Sequence, residues 1–210
     1  DALAGRDPCM DKLVDWLLGE ERTTLPPPST SPTTGTADRM KPEFQCWPEE
    51  HQAAVRAYLA GGGRLLVSGS HVVTDLVEPP TATAADRDFL RDVLGAQYIS
   101  GNGPRFALAQ ASETTTPFRS VPPFIANGAG TDGAYHAENP GVIEGLPKAD
   151  PAVLRYRDGS MGAAVAGTAG GGRRIVLAFP LECVGNANGE RTGLLKAALD
   201  RKSTRLNSSH

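Results

Sequence analysis

A turn rich in small polar residues carries the side chains in this sequence that are best suited to chemistry. The turn contains Ser68, Gly69, Ser70 and His71, and it directly follows a short apolar run at residues 64–67. α/β enzymes use such a strand-to-turn junction to present a nucleophile or to bind an anion. We therefore take Ser70 as a candidate nucleophile, with Ser68 and Gly69 as candidate ligand-binding residues.

A serine nucleophile needs a general base within hydrogen-bond reach. His71 is one candidate, but adjacent residues in a turn rarely aim their side chains at each other, so the base would be His51 or His136 from elsewhere in the chain. A structural interpretation competes with catalysis and is the one we favour, because small residues permit a sharp turn and a serine can cap the next helix. Asp75 is a further candidate ligand-binding residue; in the structural interpretation it belongs to the same cap or to a polar rim.

A second group of polar residues lies in the loop-rich middle of the chain. His136, Glu138 and Asp132 are near enough in sequence to form a metal site or an acid–base pair. The segment has no second histidine, so we favour an ordinary polar loop. We predict no metal and no cofactor.

Glu182 and Arg191 follow the most apolar run of the chain, residues 174–179. They would lie at the carboxyl edge of a sheet, where open α/β sheets bind ligands. Glu182 therefore joins the candidate catalytic residues and Arg191 the candidate ligand-binding residues. An internal ion pair or a helix cap is the favoured alternative.

The elements that would position these residues are visible in the hydrophobic pattern. Pro48 suits the first turn of a helix with apolar positions at helical spacing, and three glycines at residues 61–63 end it. The other predicted helices cover residues 9–18, 86–94 and 190–199, and the other predicted strands cover residues 97–100, 106–109, 153–157, 161–166 and 174–179. The alternation of helices and strands predicts an α/β domain, with an antiparallel hairpin at residues 153–166.

Composition sets limits on domain organisation and partners. The chain has 210 residues, a net charge of −3 and no apolar stretch long enough to span a membrane, and it has no basic stripe for nucleic acid. Residues 200–210 resemble a translated sequencing adapter. Both ends of the sequence look cut, and we expect the chain to be an internal fragment. We predict one domain over residues 1–199, with an exposed loop at about residues 20–43.

Three segments together resemble a class I glutamine amidotransferase-like domain, of the kind found in secreted bacterial xanthan lyases. They read GGGRLLVSGSHVVTD from residue 61, DRDFLRDVLGA from residue 86, and RRIVLAFPLECVGNANGERTGLLKAAL from residue 173; VDWLLGEE at residues 14–21 fits the same group. The resemblance implies a three-layer, mainly parallel, flavodoxin-like α/β sheet, with an antiparallel hairpin near the C-terminal end.

The resemblance also implies where an active site would be. Active members carry a cysteine on the turn after the strand that matches residues 65–67, but this sequence has Ser68, Gly69 and Ser70 there. Their His and Glu follow the strand that matches residues 174–179, where this sequence offers Glu182 and no histidine. Glutamine hydrolysis by that triad is therefore excluded.

The resulting functional expectation is a pseudoenzyme. We expect a non-catalytic structural or ligand-binding domain of a larger, secreted, carbohydrate-processing protein outside the cytoplasm, with carbohydrate and the other domains of the same chain as partners. One alternative is a serine hydrolase that uses Ser70. A second is a sugar-binding module formed by the loop-rich residues 113–151.

Overall fold

A computed structural model describes residues 46–104, 108–111, 117–126, 128, 134–137, 139–146, 152–156 and 161–199. These residues all fall within one compact unit, Phe44–His210. The predicted helix at residues 9–18, the loop at residues 20–43, the turn at residues 158–160 and the adapter-like residues 200–210 lie outside the described residues. The assignment of residues 1–199 to one domain stays a prediction.

The described chain contains three α-helices and eight strands, joined by short 3-10 turns. The helices are α1 (Glu49–Ala60), α2 (Ala84–Asp88) and α3 (Glu190–Leu199). The strands are β1 (Arg64–Ser68), β2 (Ala96–Ser100), β3 (Leu108–Ala111), β4 (Phe124–Ile125), β5 (Val142–Gly145), β6 (Leu154–Tyr156), β7 (Gly162–Ala169) and β8 (Gly172–Leu177).

The sequence pattern correctly predicted helix α1 and strand β1. Helix α1 begins after Pro48 and ends at Gly61, whose amide donates to the carbonyl of Ala57. Gly62 then adopts a left-handed φ of 82°, a conformation that favours glycine. The chain reverses there and enters β1 two residues later.

Six strands form one mixed sheet in the order β1-β8-β7-β6-β3-β4. Only β1 and β8 pair in parallel; the four other pairs of this described sheet are antiparallel. The prediction of a three-layer, mainly parallel sheet is therefore wrong. Alternation of helices and strands favours parallel pairing, but here short turns return the chain antiparallel from β6 to β8.

The predicted hairpin is confirmed, since β6 pairs antiparallel with β7. The strands predicted at residues 97–100 and 106–109 follow one another in the chain and would form a pair by proximity, but their described residues do not pair with each other. Strand β2 pairs instead with β5 in a separate two-stranded sheet, and β3 pairs with β4 and β6. Neighbouring strands in the sequence have thus become part of different sheets.

A helical segment connects the region after β1 to β2. Helix α2 begins with a capping box, in which Thr83 and Asp86 exchange side-chain and backbone hydrogen bonds. It continues as a π-helical segment, Phe89–Leu94, and ends at Gly95 with φ of 64°. Added to Gly95, a Cβ would overlap the guanidinium of the buried Arg174, so glycine is required there for both reasons.

The core lies against the six-stranded sheet and contains large aromatic and aliphatic side chains. It includes Leu66, Phe118, Phe124, Leu154, Tyr156, Leu177, Phe179 and Leu194. Removing this apolar surface from water is the main favourable contribution to folding. Within the described residues, no helix is both long and apolar enough to cross a membrane.

Candidate functional site

Ser68 ends strand β1 and links it to the chain segment that follows β8. Its hydroxyl donates to the carbonyl of Phe179 at 3.2 Å and accepts from the amide of Leu181 at 2.7 Å. Both partners are backbone groups in the segment that follows β8. The Ser68 hydroxyl is therefore committed to the fold.

The next two residues make the sharp turn that the sequence predicted. The Gly69 amide donates to the carbonyl of Leu177 at 3.3 Å, which extends the parallel pairing by one bond. A Cβ on Gly69 would lie 2.8 Å from Cγ1 of Val72, so the turn has room only for glycine. Small residues here serve the sharp turn, as the structural interpretation expected.

Ser70, the candidate nucleophile, has a buried hydroxyl that forms no hydrogen bond with the described part of the chain. His71 beside it is exposed, and its carbonyl accepts the amide of Asp75 at 3.2 Å. His51 is exposed on helix α1. None of the described histidines is hydrogen-bonded to Ser70.

Asp75 has a structural contact. Its Oδ2 accepts the amide of Cys46 at 3.0 Å, and Trp47 Nε1 donates to the carbonyl of Val72 at 2.6 Å. These two bonds attach the residues before α1 to the turn after β1. Asp75 therefore satisfies a backbone donor ahead of α1, and the 3-10 turn Thr74–Leu76 that contains it has no side-chain cap.

His136 is held by a backbone carbonyl. Its Nδ1 lies 3.1 Å from the oxygen of Gly128. A carbonyl oxygen only accepts, so Nδ1 must carry the hydrogen, and Nε2 of the neutral ring is then a free acceptor. Gly128 has a φ of 66°, and a Cβ there would overlap the carbonyl oxygen of Tyr135.

Glu182 lies in a 3-10 turn, Leu181–Cys183, directly after β8. Its carbonyl accepts the amide of Tyr135 at 3.2 Å, so the structure brings the loop that carries His136 beside the turn that carries Glu182. The described side chains of Glu182 and Arg191 form no ion pair with each other. Arg191 instead donates its amide to the carbonyl of Gly185 at the start of α3.

The predicted metal or acid–base cluster around His136 cannot be assembled from the described residues, because Asp132 and Glu138 lie outside them. Across the part of the chain that the structure covers, no three His, Cys, Asp or Glu side chains are grouped as metal ligands would be.

Tyr98 and Arg174, which are not among the candidate site residues, both have shifted pKa values. Burial, followed by the hydrogen bond to Glu78, raises the pKa of Tyr98 to about 12. Burial lowers the pKa of Arg174. The Arg174 Nη1 donates to the carbonyl of Thr168, whereas its buried Nε has no hydrogen-bond partner in the described chain.

Sequence reasoning missed three residues that shape this region. Gly128 and Tyr135 fix the loop beside Glu182, and Tyr156 donates its hydroxyl to the carbonyl of Gly141 at 2.8 Å. A tyrosine inside a loop rich in Gly, Asn and Thr was the available signal for Tyr135. The contacts of Gly128 and Tyr156 span the fold and leave no local pattern.

Three comparisons with known proteins found similarity only among solved structures. No family model matches the chain, and no curated protein matches it. Among solved structures, the chain is similar to the beta-galactosidase from Rahnella sp. R3, at a TM-score of 0.46 and 20% sequence identity. That similarity covers 70% of this chain and 20% of the beta-galactosidase chain.

These findings correct the resemblance to a class I glutamine amidotransferase-like domain and to xanthan lyases. No family model of that kind matches the chain. The described sheet also lacks the mainly parallel arrangement that the resemblance implied. The quoted segments predicted individual helices and strands well, but they did not identify the family.

Proposed function

We propose that this part of the chain is a non-catalytic module that acts as a scaffold or a ligand-binding domain. The observation that carries the proposal is the state of Ser70, whose buried hydroxyl has no hydrogen-bond partner among the described residues. A serine hydroxyl is a weak nucleophile until a base hydrogen-bonded to it removes its proton. Among the described residues, no base is hydrogen-bonded to Ser70, which supports the proposal.

The neighbouring candidates support the same proposal, because each one serves the backbone. Ser68 bonds to Phe179 and Leu181, and Asp75 bonds to Cys46. His136 uses Nδ1 on the carbonyl of Gly128. In a Ser-His-Asp type site that ring nitrogen would be oriented by a carboxylate while Nε2 faces the serine.

An activity assay with two serine variants tests the proposal. We expect the 210-residue protein to release no product above the buffer rate from p-nitrophenyl esters, anilides and glycosides, and we expect Ser70→Ala to change nothing. Ser120→Ala, on an exposed serine away from the turn, is the matched control. Turnover that disappears in Ser70→Ala and persists in Ser120→Ala would contradict the proposal and establish the serine hydrolase instead.

The wider setting is also a proposal. A larger carbohydrate-processing protein outside the cytoplasm, with neighbouring domains of the same chain as partners, is what the sequence led us to expect. Mass spectrometry of the full-length gene product, fractionated by compartment, would test this. Recovery in the cytoplasm alone would count against it.

A further inference from the structure

The loop beside Glu182 presents an aromatic ring to solvent. The Tyr135 side chain is 71% exposed, the highest value among the exposed large apolar and aromatic side chains of the described residues. Burying such a ring is favourable, so its exposure has a cost that a binding partner would relieve. A single exposed aromatic ring is common on protein surfaces. The residues around Tyr135 therefore decide whether the ring can take part in a binding site.

The backbone beneath Tyr135 is fixed by contacts on both sides. Its amide donates to the carbonyl of Glu182 at 3.2 Å. Its carbonyl packs so closely on Gly128 that a Cβ at that position would overlap it, and the same Cβ would lie 3.2 Å from the carbonyl oxygen of Cys183. A ring on such a backbone loses little conformational entropy when a ligand binds.

Two residues with acceptor side chains are backbone neighbours of Tyr135: His136 follows it in the chain, and Glu182 accepts its amide hydrogen through the backbone carbonyl. His136 is exposed, and its Nε2 is free to accept because Nδ1 donates to Gly128. The half-buried Glu182 forms no side-chain hydrogen bond or ion pair with the described residues. Neither acceptor is occupied by the described part of the fold, whereas Ser68 and Asp75 are both occupied.

We propose that Tyr135, His136 and Glu182 form a binding site for an uncharged carbohydrate. The apolar C–H face of a sugar ring packs on the Tyr135 ring, and hydroxyl groups at its edge donate to Nε2 of His136 and to the carboxylate of Glu182. The carboxylate disfavours anionic ligands such as phosphates. This inference rests on the proposed non-catalytic function and assigns that function its ligand class.

Affinity gel electrophoresis of the 210-residue protein tests the site. Native gels contain soluble galactan, dextran, xylan or mannan as neutral probes, with alginate as the anionic probe. We expect at least one neutral polysaccharide to retard the protein. We expect Tyr135→Ala to weaken this binding by about two- to tenfold, the size expected from losing one aromatic stacking contact.

Matched variants separate the site from general effects. Tyr58→Ala removes a tyrosine that is 44% exposed on helix α1, and it should leave the retardation unchanged. Tyr135→Phe keeps the ring and should retain most of the binding. Melting temperatures of all three variants show whether each one remains folded.

Three results would overturn the inference: no retardation by any neutral polysaccharide, retardation by alginate alone, or equal binding by the folded Tyr135→Ala variant. None of them depends on hydrolysis. Conversely, turnover that requires Ser70 would overturn the proposed function while leaving binding at Tyr135 unaffected. The two proposals can therefore fail separately.

Discussion

At the scale of single residues, Ser68 shows how a side chain with catalytic potential can be used by the fold. Its two hydrogen-bond partners lie 111 and 113 positions further along the chain. The hydroxyl of Ser70, two residues later, is buried without a hydrogen bond to any described residue. The two serines look equivalent in the sequence, and only long-range contacts distinguish them.

Replacing Ser68 by alanine should destabilise the protein. The amide of Leu181 and the carbonyl of Phe179 would lose a partly buried partner, and an unsatisfied buried group costs about 1–3 kcal/mol. Urea unfolding of Ser68→Ala should therefore give a lower free energy of unfolding than the wild type. Ser120→Ala should remain within about 0.5 kcal/mol; equal losses in both variants would contradict the assigned role of Ser68.

At the scale of elements, the sequence predicted helices and strands much better than it predicted their pairing. Helix α3 was predicted at its observed bounds. Gly95 was recognised as the end of the Phe89–Leu94 segment, where it adopts the left-handed conformation that favours glycine. Strand partners were missed because hydrophobic alternation contains no information on which distant strand lies alongside. Strand β2 illustrates this, since it pairs with β5 across more than forty residues.

The capping box of α2 gives a prediction with a defined pH dependence. Burial opposes ionisation of Asp86, but its hydrogen bonds with Thr83 and Gln52 and the nearby Arg87 together lower its pKa below the usual 3.8. A lowered pKa in the folded state means that this contribution is complete above the unfolded-state pKa and is lost as the pH falls through the folded-state value.

We therefore expect Asp86→Asn to lower the melting temperature at pH 7 and to have a smaller effect at pH 2. Differential scanning calorimetry at both values measures this. Asp92→Asn is a poor control, because hydrogen bonding with Arg91 lowers the pKa of Asp92 as well. Glu49→Gln, an exposed carboxylate at the start of α1, is the better comparison. An equal effect of Asp86→Asn at the two pH values would refute the prediction.

At the scale of the whole molecule, an ion pair between described residues links the two sheets. Arg155 on β6 binds Glu144 on β5 through two hydrogen bonds of 2.9 Å. The side chains are 29% and 27% exposed, so water screens this pair less than a fully exposed one. The sequence offered no sign of the pair, because the two residues lie in different sheets.

A double-mutant cycle should detect this connection. For Arg155→Ala and Glu144→Ala we expect a coupling free energy of about 1 kcal/mol, at the upper end for partly exposed pairs because the geometry is bidentate. The exposed pair of Arg91 and Asp88, with both side chains 53% exposed, is the control and should couple by less than about 0.5 kcal/mol. Equal coupling free energies in the two cycles would show that the inter-sheet pair stabilises the fold no more than an exposed surface pair does.

The parallel pairing of β1 with β8 has a kinetic consequence. Strands β7 and β8 are joined by a tight turn at Gly170 and Gly171, whereas Arg64 of β1 pairs with Arg173, more than a hundred residues away. Closing the longer loop costs more conformational entropy. Strand β1 should therefore dock after the β7–β8 hairpin has formed. Ser68→Ala should then mainly accelerate unfolding. A substitution that disrupts the Gly170 turn should mainly slow refolding. Stopped-flow chevron plots would distinguish these two effects.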